Sequence, residues 1–367
     1  MVRRLLLLST LLAFGCQADD PAPTQKSHAL PRIHLSSDKK HFAVDADARF
    51  ELWGFNYDHD EKGRLLEDYW AVEWEKVRRD FVEMKSLGGN VIRIHLQVAK
   101  FMNAADKPNA QSLVQLGRLV KLAEETGLYL DITGLACYRK GDVPAWYSSL
   151  DESHRWDVQC RFWKAVAGVC KTSPAIFCYD LMNEPIIGGG DQKSDWLPGT
   201  PLGGMNYVQR LTLDPHGRSD KQIARAWVEK LSTAIRSVDK RHMITVGVIP
   251  WVQVFKGGSP LFYSPEVSGP LDFASIHFYP KAVPVEESLK YLRAYEIGKP
   301  LVIEEIFPLD AGIDKTAAFI NASRNEVDGY VSFYWGETIE QNKQKHDLGG
   351  AIQGDWLQKF EELAPRQ

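Results

Sequence analysis

The chain has 367 residues, 44% of them hydrophobic, and a formal net charge of −4. This length and composition allow a large core, and a mildly acidic chain gives no electrostatic case for binding nucleic acid. Eleven Trp and thirteen Tyr supply aromatic faces that suit either core packing or stacking on sugars.

The first residues are typical of an exported protein. Arg3 and Arg4 precede an apolar run at 5–14 that is too short to span a bilayer. We therefore interpret residues 1–15 as a signal peptide, which means that the mature protein works outside the cytoplasm.

The apolar run ends in AFGC, which resembles a bacterial lipobox, although Ala13 stands where that motif usually has Leu. We expect Cys16 to be lipidated and residues 16–31 to form a flexible tether. The prediction is a secreted or periplasmic protein, anchored to the membrane only through Cys16. The alternative is an ordinary secretory signal cleaved nearby.

After the tether, strand-like and helix-like segments alternate. A short β-hairpin is expected at 32–52, before the first strand. Eight strands are predicted, at 52–58, 90–96, 128–135, 175–184, 242–249, 273–279, 300–306 and 329–336. Helices are predicted between the strands. The first is indicated by an apolar stripe of Trp70, Trp74, Val77, Phe81 and Met84. The others are predicted at 112–127, 156–170, 219–238, 284–296, 314–325 and 354–363.

Eight alternating strands and helices predict an α/β fold, a (β/α)8 TIM barrel, with residues 32–367 as one catalytic domain. The alternative is an open doubly wound sheet. Such a sheet usually carries a glycine-rich phosphate loop after its first strand, and GFNYDHD is not one.

Polar side chains gather at the predicted carboxyl ends of the strands, where barrel enzymes hold their active sites. They are Asn56, Tyr57, Arg93, His95, Asn183, Glu184, His277, Tyr279, Glu304, Glu305 and Trp335. Glu184 ends the fourth strand, and a glutamate pair ends the seventh, on the far side of a closed barrel. Because Pro185 follows, we expect Glu184 to stay extended.

Two carboxyl groups facing each other across a pocket are the minimum equipment for cleaving a glycosidic bond. One donates a proton to the leaving oxygen, and the other attacks the anomeric carbon or activates water. Successive strand residues alternate in direction, so only one of Glu304 and Glu305 is expected to face the pocket, and Glu304 is expected to pair with a helix.

Four motifs in order, LMNEP, IHFYP, KPLVIEEI and FYW, resemble glycoside hydrolase family 5, a retaining family with a (β/α)8 barrel. The resemblance extends from about residue 33 to 363. It implies that Glu184 is the acid/base. It also implies that Glu305 is the nucleophile, because that residue lies five positions beyond the proline of a Lys-Pro pair in the family.

The same resemblance implies five substrate-site roles. Asn183 would bind the sugar 2-hydroxyl, and Arg93 would support the nucleophile. Tyr279 would donate a hydrogen bond to the nucleophile, while His277 would lie beside the acid/base. Trp335 would form the platform under the sugar at the cleaved bond.

Two departures make the chain an outlying member. Thr133 stands where many family members have a histidine that shapes the glycone pocket, and we expect His95 to compensate as a substrate-binding residue. Ile306-Phe307-Pro308 replaces the usual aromatic residue and glycine after the nucleophile.

The expected function is therefore retaining hydrolysis of a β-linked glucan, mannan or related glycoside, with an oligo- or polysaccharide substrate and no metal or other cofactor. A non-catalytic carbohydrate-binding barrel is the alternative. A metal-dependent barrel hydrolase is less consistent, because the first strand lacks the His-x-His pair typical of such enzymes.

The long loop at 186–218 is expected to wall the substrate site and to decide between endo and exo action. Trp196 and Tyr207 are its candidate stacking residues. The cysteines show no zinc-type spacing, and Cys178 is expected to be a free buried thiol.

Overall fold

The computed structural model describes residues 30–188 and 192–365. The predicted signal peptide, Cys16 and nearly all of the tether lie outside these residues, so export and lipidation stay predictions. Within the described ranges, every helix is too short or too polar to cross a membrane.

Eight parallel strands form a closed barrel. They are Leu52–Tyr57 (β1), Val91–Gln97 (β2), Tyr129–Ala136 (β3), Ile176–Asp180 (β4), Met243–Thr245 with Gly247–Val248 (β5), Ala274–His277 (β6), Leu301–Ile306 (β7) and Gly329–Ser332 (β8). The first piece of β5 pairs with β4 and the second pairs with β6, while β8 pairs with β1. The predicted (β/α)8 barrel is therefore confirmed.

A helix follows each strand. These helices are Trp74–Ser86 (α1), Ala110–Thr126 (α2), Glu152–Cys170 (α3), Asp220–Arg236 (α4), Trp251–Val254 (α5), Val285–Arg293 (α6), Ile313–Ser323 (α7) and Leu348–Glu362 (α8). Gly127, in the left-handed region at φ 67°, ends α2 as predicted. The first helix begins at Trp74, because Trp70 instead follows a separate turn of helix, Leu66–Tyr69.

Short elements decorate the loops. They are the helical turns Val98–Phe101, Lys140–Asp142, Ala145–Ser148 and Ile339–Gln344, the antiparallel pair Met102–Ala104 with Lys107–Pro108, and the parallel pair Pro185–Ile186 with Gln209–Arg210. Sequence periodicity gave no sign of these elements, because a single turn or a two-residue strand is too short to show a period.

A small antiparallel sheet closes the amino-terminal end of the barrel. Its strands are His34–Leu35, Phe42–Val44 and Ala48–Phe50, one strand more than the predicted hairpin. Phe42 packs edge-on against Phe177 and Phe273, which enter the barrel from β4 and just before β6, with ring centroids 5.0 and 5.1 Å apart. This apolar plug leaves the carboxyl ends of the strands as the place for a polar site.

Candidate active site

A β-bulge in β7 directs both glutamates of the pair into the barrel. Ile303 pairs with Ile276 and Glu305 with His277, so Glu304 is an extra residue relative to β6. The register against β8 shifts at the same place. The expectation that Glu304 would face a helix was therefore wrong, because a bulge interrupts the alternation of side chains on which it relied.

Glu305 lies at the floor of a pocket, with 7% of its side chain exposed. Its Oε1 accepts a hydrogen bond from Arg93 Nη1 at 2.8 Å, and its Oε2 accepts one from Tyr279 Oη at 2.5 Å. Burial raises the pKa of Glu305, while the positive charges of His277 and Arg93 oppose that rise. These contacts match the roles implied for Arg93 and Tyr279.

Glu184 faces Glu305 from the loop that follows β4. Its φ is +47°, so the expected extended conformation before Pro185 was wrong. Tertiary contacts hold this backbone: the Glu184 N–H donates to the Gly247 carbonyl at 2.9 Å, and Glu184 Oε1 lies 2.9 Å from His277 Nδ1. The carboxyl group is 17% exposed and lines the pocket together with Asn183.

Glu184, His277 and Glu305 form a compact group. One potential ligand atom from each lies within 4.8 Å of the others, and no other such trio occurs in residues 30–188 and 192–365. A metal ion could therefore be considered only here. Burial lowers the pKa of His277, but Glu305, Glu184 and Glu304 outweigh burial and raise it to about 10. A metal ion would therefore have to displace a firmly held proton from the imidazole.

Chelation is consequently expected to leave hydrolysis unchanged. Dialysis against EDTA, with metal content measured before and after, should give the same kcat/KM on an aryl β-glycoside. Stoichiometric metal in the untreated protein, together with activity that disappears on chelation and returns with one divalent cation, would instead favour the metal-dependent alternative.

Arg93 is the hub of the barrel interior and is fully buried. Besides Glu305, its guanidinium donates to Asp180 Oδ2, Asn183 Oδ1 and Asn56 Oδ1, each at 2.9 Å. One side chain thus links β1, β2 and β7 to the segment that carries the acid/base candidate. Removing one partner of such a buried ion pair costs about 3–5 kcal/mol, so Arg93 supports the fold as well as the site.

Beneath the pocket lies a layer of buried acids. Glu304 Oε2 is 3.4 Å from His277 Nε2, and Glu304 Oε1 is 3.6 Å from Arg93 Nε. Burial alone would raise the pKa of Glu304, but Arg93 and His277 lower it to about 2. Burial and Glu304 raise the pKa of Asp180 to about 6 and that of Asp131 well above its usual value. The layer therefore favours the ionised form of Glu304 and the protonated form of Asp131.

Gly247 makes room for this layer. A Cβ at that position would lie 2.3 Å from Glu304 Oε2 and 2.6 Å from His277 Nε2. The same residue donates its N–H to Asp180 Oδ1 at 2.8 Å, where β5 is interrupted. A side chain here would displace the groups that contact His277.

Replacing Glu304 with glutamine is expected to lower the pKa of His277 by at least about one unit, measured by NMR titration of the imidazole. An opposite charge at this range raises the pKa of a cation by about 1–3 units, and Glu304 is one of the carboxylates that hold His277 protonated. Glu67→Gln is the control, because Glu67 is half-buried in the helical turn Leu66–Tyr69 and does not line the pocket. A folded Glu304→Gln enzyme with an unchanged His277 titration would contradict this role.

The pocket has a volume of about 280 Å³, just below the roughly 300–1,000 Å³ common for ligand sites. It is lined by Asn183, Glu184, Leu202, Tyr207, Tyr279, Glu305, Phe307, Leu309, Phe333 and Tyr334. Aromatic and aliphatic side chains therefore form most of its wall around the two carboxyl groups.

Trp335 is not the platform that the resemblance implied. It is fully buried behind β8, packed edge-on against Phe55 with ring centroids 5.8 Å apart. Phe333, two residues earlier, lines the pocket instead. The sequence FYW offers three aromatic residues in succession, and only the exact course of the chain after β8 decides which of them faces the substrate.

His95 and Thr133 also fall outside the pocket. His95 contacts the Tyr138 hydroxyl and Asn56 Oδ1, and Thr133 donates to Asp180 Oδ2 at 2.8 Å. Both are buried. His95 therefore does not compensate for the missing family histidine by contact with substrate.

Sequence reasoning missed several residues of the site. Asp131, Asp180 and Phe307 carried no motif that distinguished them from buried strand or loop residues. Of the two stacking candidates, Tyr207 lines the pocket, whereas Trp196 is buried beneath the guanidinium of Arg155, 4.3 Å from the ring. Cys178 is a free buried thiol, as expected, and contacts Asp131.

Comparison with known proteins gives one family. The family described as Cellulase (glycosyl hydrolase family 5) matches residues 54–343. Mannan endo-1,4-beta-mannosidase A of Podospora anserina is 23% identical over 266 residues, which cover 64% of this chain and 62% of that protein. Mannan endo-1,4-beta-mannosidase 4 of Oryza sativa subsp. japonica is 27% identical over 194 residues, which cover 48% and 32%. The chain thus spans less than two thirds of the length of these relatives.

Solved structures share the fold. The exo-beta-1,4-mannosidase Op5Man5 from Opitutaceae bacterium strain TAV5 aligns with a TM-score of 0.65 at 19% identity, covering 90% of this chain and 62% of that one. The endo-1,4-beta-mannanase from Rhizomucor miehei aligns with a TM-score of 0.60 at 15% identity, covering 91% and 100%. At these identities the likeness supports the barrel alone.

Proposed function

Because the chain belongs to the Cellulase family, glycosyl hydrolase family 5, we propose that it hydrolyses a β-linked glycoside with retention of anomeric configuration. Glu305 is the nucleophile and Glu184 is the acid/base. The observation that carries the proposal is the approach of these two carboxyl groups across the pocket, to within 4.8 Å between one oxygen of each. Retaining enzymes hold their carboxyl groups about 5–5.5 Å apart, whereas inverting enzymes leave room for a water between them.

The reaction proceeds by two displacements. In the first, a Glu305 oxygen bonds to the anomeric carbon while the bond to the glycosidic oxygen breaks and Glu184 donates its proton to that oxygen. In the second, Glu184 takes a proton from water, the water oxygen bonds to the anomeric carbon and Glu305 leaves. Two inversions at one carbon restore the starting configuration.

The surrounding residues stabilise these steps. Arg93 and Tyr279 donate to the two oxygens of Glu305, which favours its ionised form before attack. The Asn183 side-chain nitrogen donates to the Tyr207 carbonyl at 3.1 Å. An amide nitrogen has two hydrogens, so one remains for a sugar hydroxyl beside Glu305. Phe333 supplies an aromatic face in the same pocket.

The substrate we propose is a β-mannoside or a related β-glycan. Support comes from the named relatives, which are mannosidases and mannanases. Export and lipidation at Cys16 remain part of the proposal. They rest on the amino-terminal sequence pattern and would bring the enzyme to extracellular or periplasmic glycans.

The test is hydrolysis of 4-nitrophenyl β-mannoside, β-glucoside and related aryl glycosides, with the anomer released first identified by NMR. We expect turnover of at least one β-glycoside, with the β-anomer of the free sugar appearing before mutarotation. The α-anomer as first product would exclude retention. Sugar binding without turnover of any substrate would instead favour a carbohydrate-binding barrel.

A further inference from the structure

The loop between β4 and α4 is fastened across one side of the barrel mouth. We call residues 192–218 the covering loop. Its Gln209–Arg210 segment pairs in parallel with Pro185–Ile186. Farther out, the Asn206 N–H donates to the Tyr138 carbonyl at 2.7 Å, which ties the loop to the segment after β3. The loop therefore reaches from β4 back over the preceding strands.

Apolar packing fills the space under this part of the covering loop. Met205 belongs to a buried cluster with Leu65, Ala136 and Tyr138. Leu65 follows β1, Ala136 ends β3 and Tyr138 follows β3. The Tyr207 ring lies against Tyr138, with centroids 4.8 Å apart. These contacts occupy the region above the ends of β1, β2 and β3, so a sugar chain has no groove there.

The positions of the residues that line the pocket also indicate that it is closed on the side of β1, β2 and β3. They come from the covering loop and from the ends of β4, β6, β7 and β8, and among the described residues none before Asn183 contributes. Between β8 and β1, the Tyr334 ring stacks on His59 with centroids 4.0 Å apart. The pocket is therefore closed toward β1–β3 and opens to solvent between Leu202 and Leu309, whose exposed fractions are 72% and 64%.

The order in which the two products leave the pocket decides which part of a substrate occupies the closed end. In a double displacement the leaving group must depart before water attacks the glycosyl-enzyme. A leaving group in the closed end would be trapped behind the sugar bound to Glu305. The sugar that reacts therefore occupies the closed end, and the leaving group extends toward the open rim.

From this geometry we infer that the protein acts only at chain ends, releasing one sugar at a time from the non-reducing terminus. The inference rests on the proposed glycosidase function and adds its mode of action. A sugar bound at the closed end has no space for a further residue on its non-anomeric hydroxyls, so a mid-chain residue cannot reach Glu305. The covering loop is the specificity element.

The test uses β-1,4-mannopentaose and cellopentaose, each labelled at the reducing end with 2-aminobenzamide. We expect free monosaccharide as the first product and a labelled ladder that shortens by one residue at a time. A 4-O-methyl group on the non-reducing terminal sugar should slow cleavage by about 100-fold. This lies within the roughly 10–200-fold discrimination that a pocket achieves against one extra methylene group. Early release of di- or trisaccharides, or indifference to the methyl group, would overturn the inference.

A loop variant and a binding measurement complete the design. Replacing residues 198–205 by Gly-Ser-Gly should allow mid-chain cleavage of the methylated pentasaccharide. Leu348→Ser, at an exposed leucine at the start of α8 that does not line the pocket, should keep monosaccharide as the first product. If the loop variant does not fold, the wild-type comparison decides. If wild type hydrolyses nothing, the proposed function fails; calorimetric binding of the unblocked chains but not the blocked ones would still support the closed pocket, and equal binding of both would overturn it.

Discussion

Replacing Glu305 with alanine is expected to lower kcat/KM by at least about 10⁴-fold. Loss of the nucleophile removes the covalent pathway, and removing the nucleophile of other enzymes lowers kcat by a factor of this size or more. Arg93 and Tyr279, which donate to Glu305, would then face an empty space of carboxylate size. Azide can enter that space and attack the anomeric carbon in place of the carboxylate. With 2,4-dinitrophenyl β-glycoside as substrate, the expected product is the α-glycosyl azide, identified by NMR.

Glu304→Ala tests the choice between the two neighbouring glutamates, because it leaves a space of the same size as Glu305→Ala. Glu304 is fully buried beneath the pocket, so Glu304→Ala should give no glycosyl azide. Melting curves of both variants show whether each is folded. A Glu305→Ala enzyme that keeps full activity, or azide rescue that appears in Glu304→Ala instead, would reverse the assignment.

The barrel fold, and the presence of two carboxyl groups on opposite sides of its mouth, could be predicted from the sequence. Strands in β/α barrels are short apolar runs separated by helices with a period near 3.6, and both signals are local. Once the strand order is known, Glu184 and Glu305 necessarily come to the same end of the barrel. Their pairing is thus a consequence of topology and needs no knowledge of side-chain contacts.

The errors arose where tertiary contacts override a local rule. Alternation along β7 predicts opposite directions for Glu304 and Glu305, but one inserted residue turns both inward, toward the charges of Arg93 and His277. Proline favours an extended residue before it, yet the backbone of Glu184 has positive φ and is held by Gly247. Bulges and positive φ values of this kind concentrate at functional sites, where surrounding contacts compensate for the strain.

The covering loop lay beyond prediction for a different reason. Two of its partners, Leu135 and Tyr138, are some 70 residues away in sequence, and their backbone carbonyls accept hydrogen bonds from the side chains of Gln209 and Asn206. Such contacts leave no periodic pattern. The sequence could indicate that the loop decides between endo and exo action, but the direction in which it folds had to come from the structure.

Replacing Glu184 with alanine is expected to give a loss that depends on the leaving group. Glycosides with poor leaving groups need a proton on the departing oxygen and should lose about 10²–10⁴-fold in kcat/KM, the usual contribution of general acid catalysis. For 2,4-dinitrophenyl glycosides the first step needs no proton and should be nearly unaffected, while the second step lacks its base. A pre-steady-state burst of dinitrophenolate, followed by slow turnover, is the measurement.

Azide separates this role from that of Glu305. In Glu184→Ala the glycosyl-enzyme still forms on Glu305, and azide then attacks from the face that water normally uses, so the β-glycosyl azide is expected. The α-azide from Glu305→Ala and the β-azide from Glu184→Ala require attack on opposite faces of one sugar, which two residues on the same side of the pocket could not produce. A loss in Glu184→Ala that is equal for all leaving groups would show that Glu184 does not donate the proton. Glu67→Gln controls for general effects of losing a partly buried carboxylate.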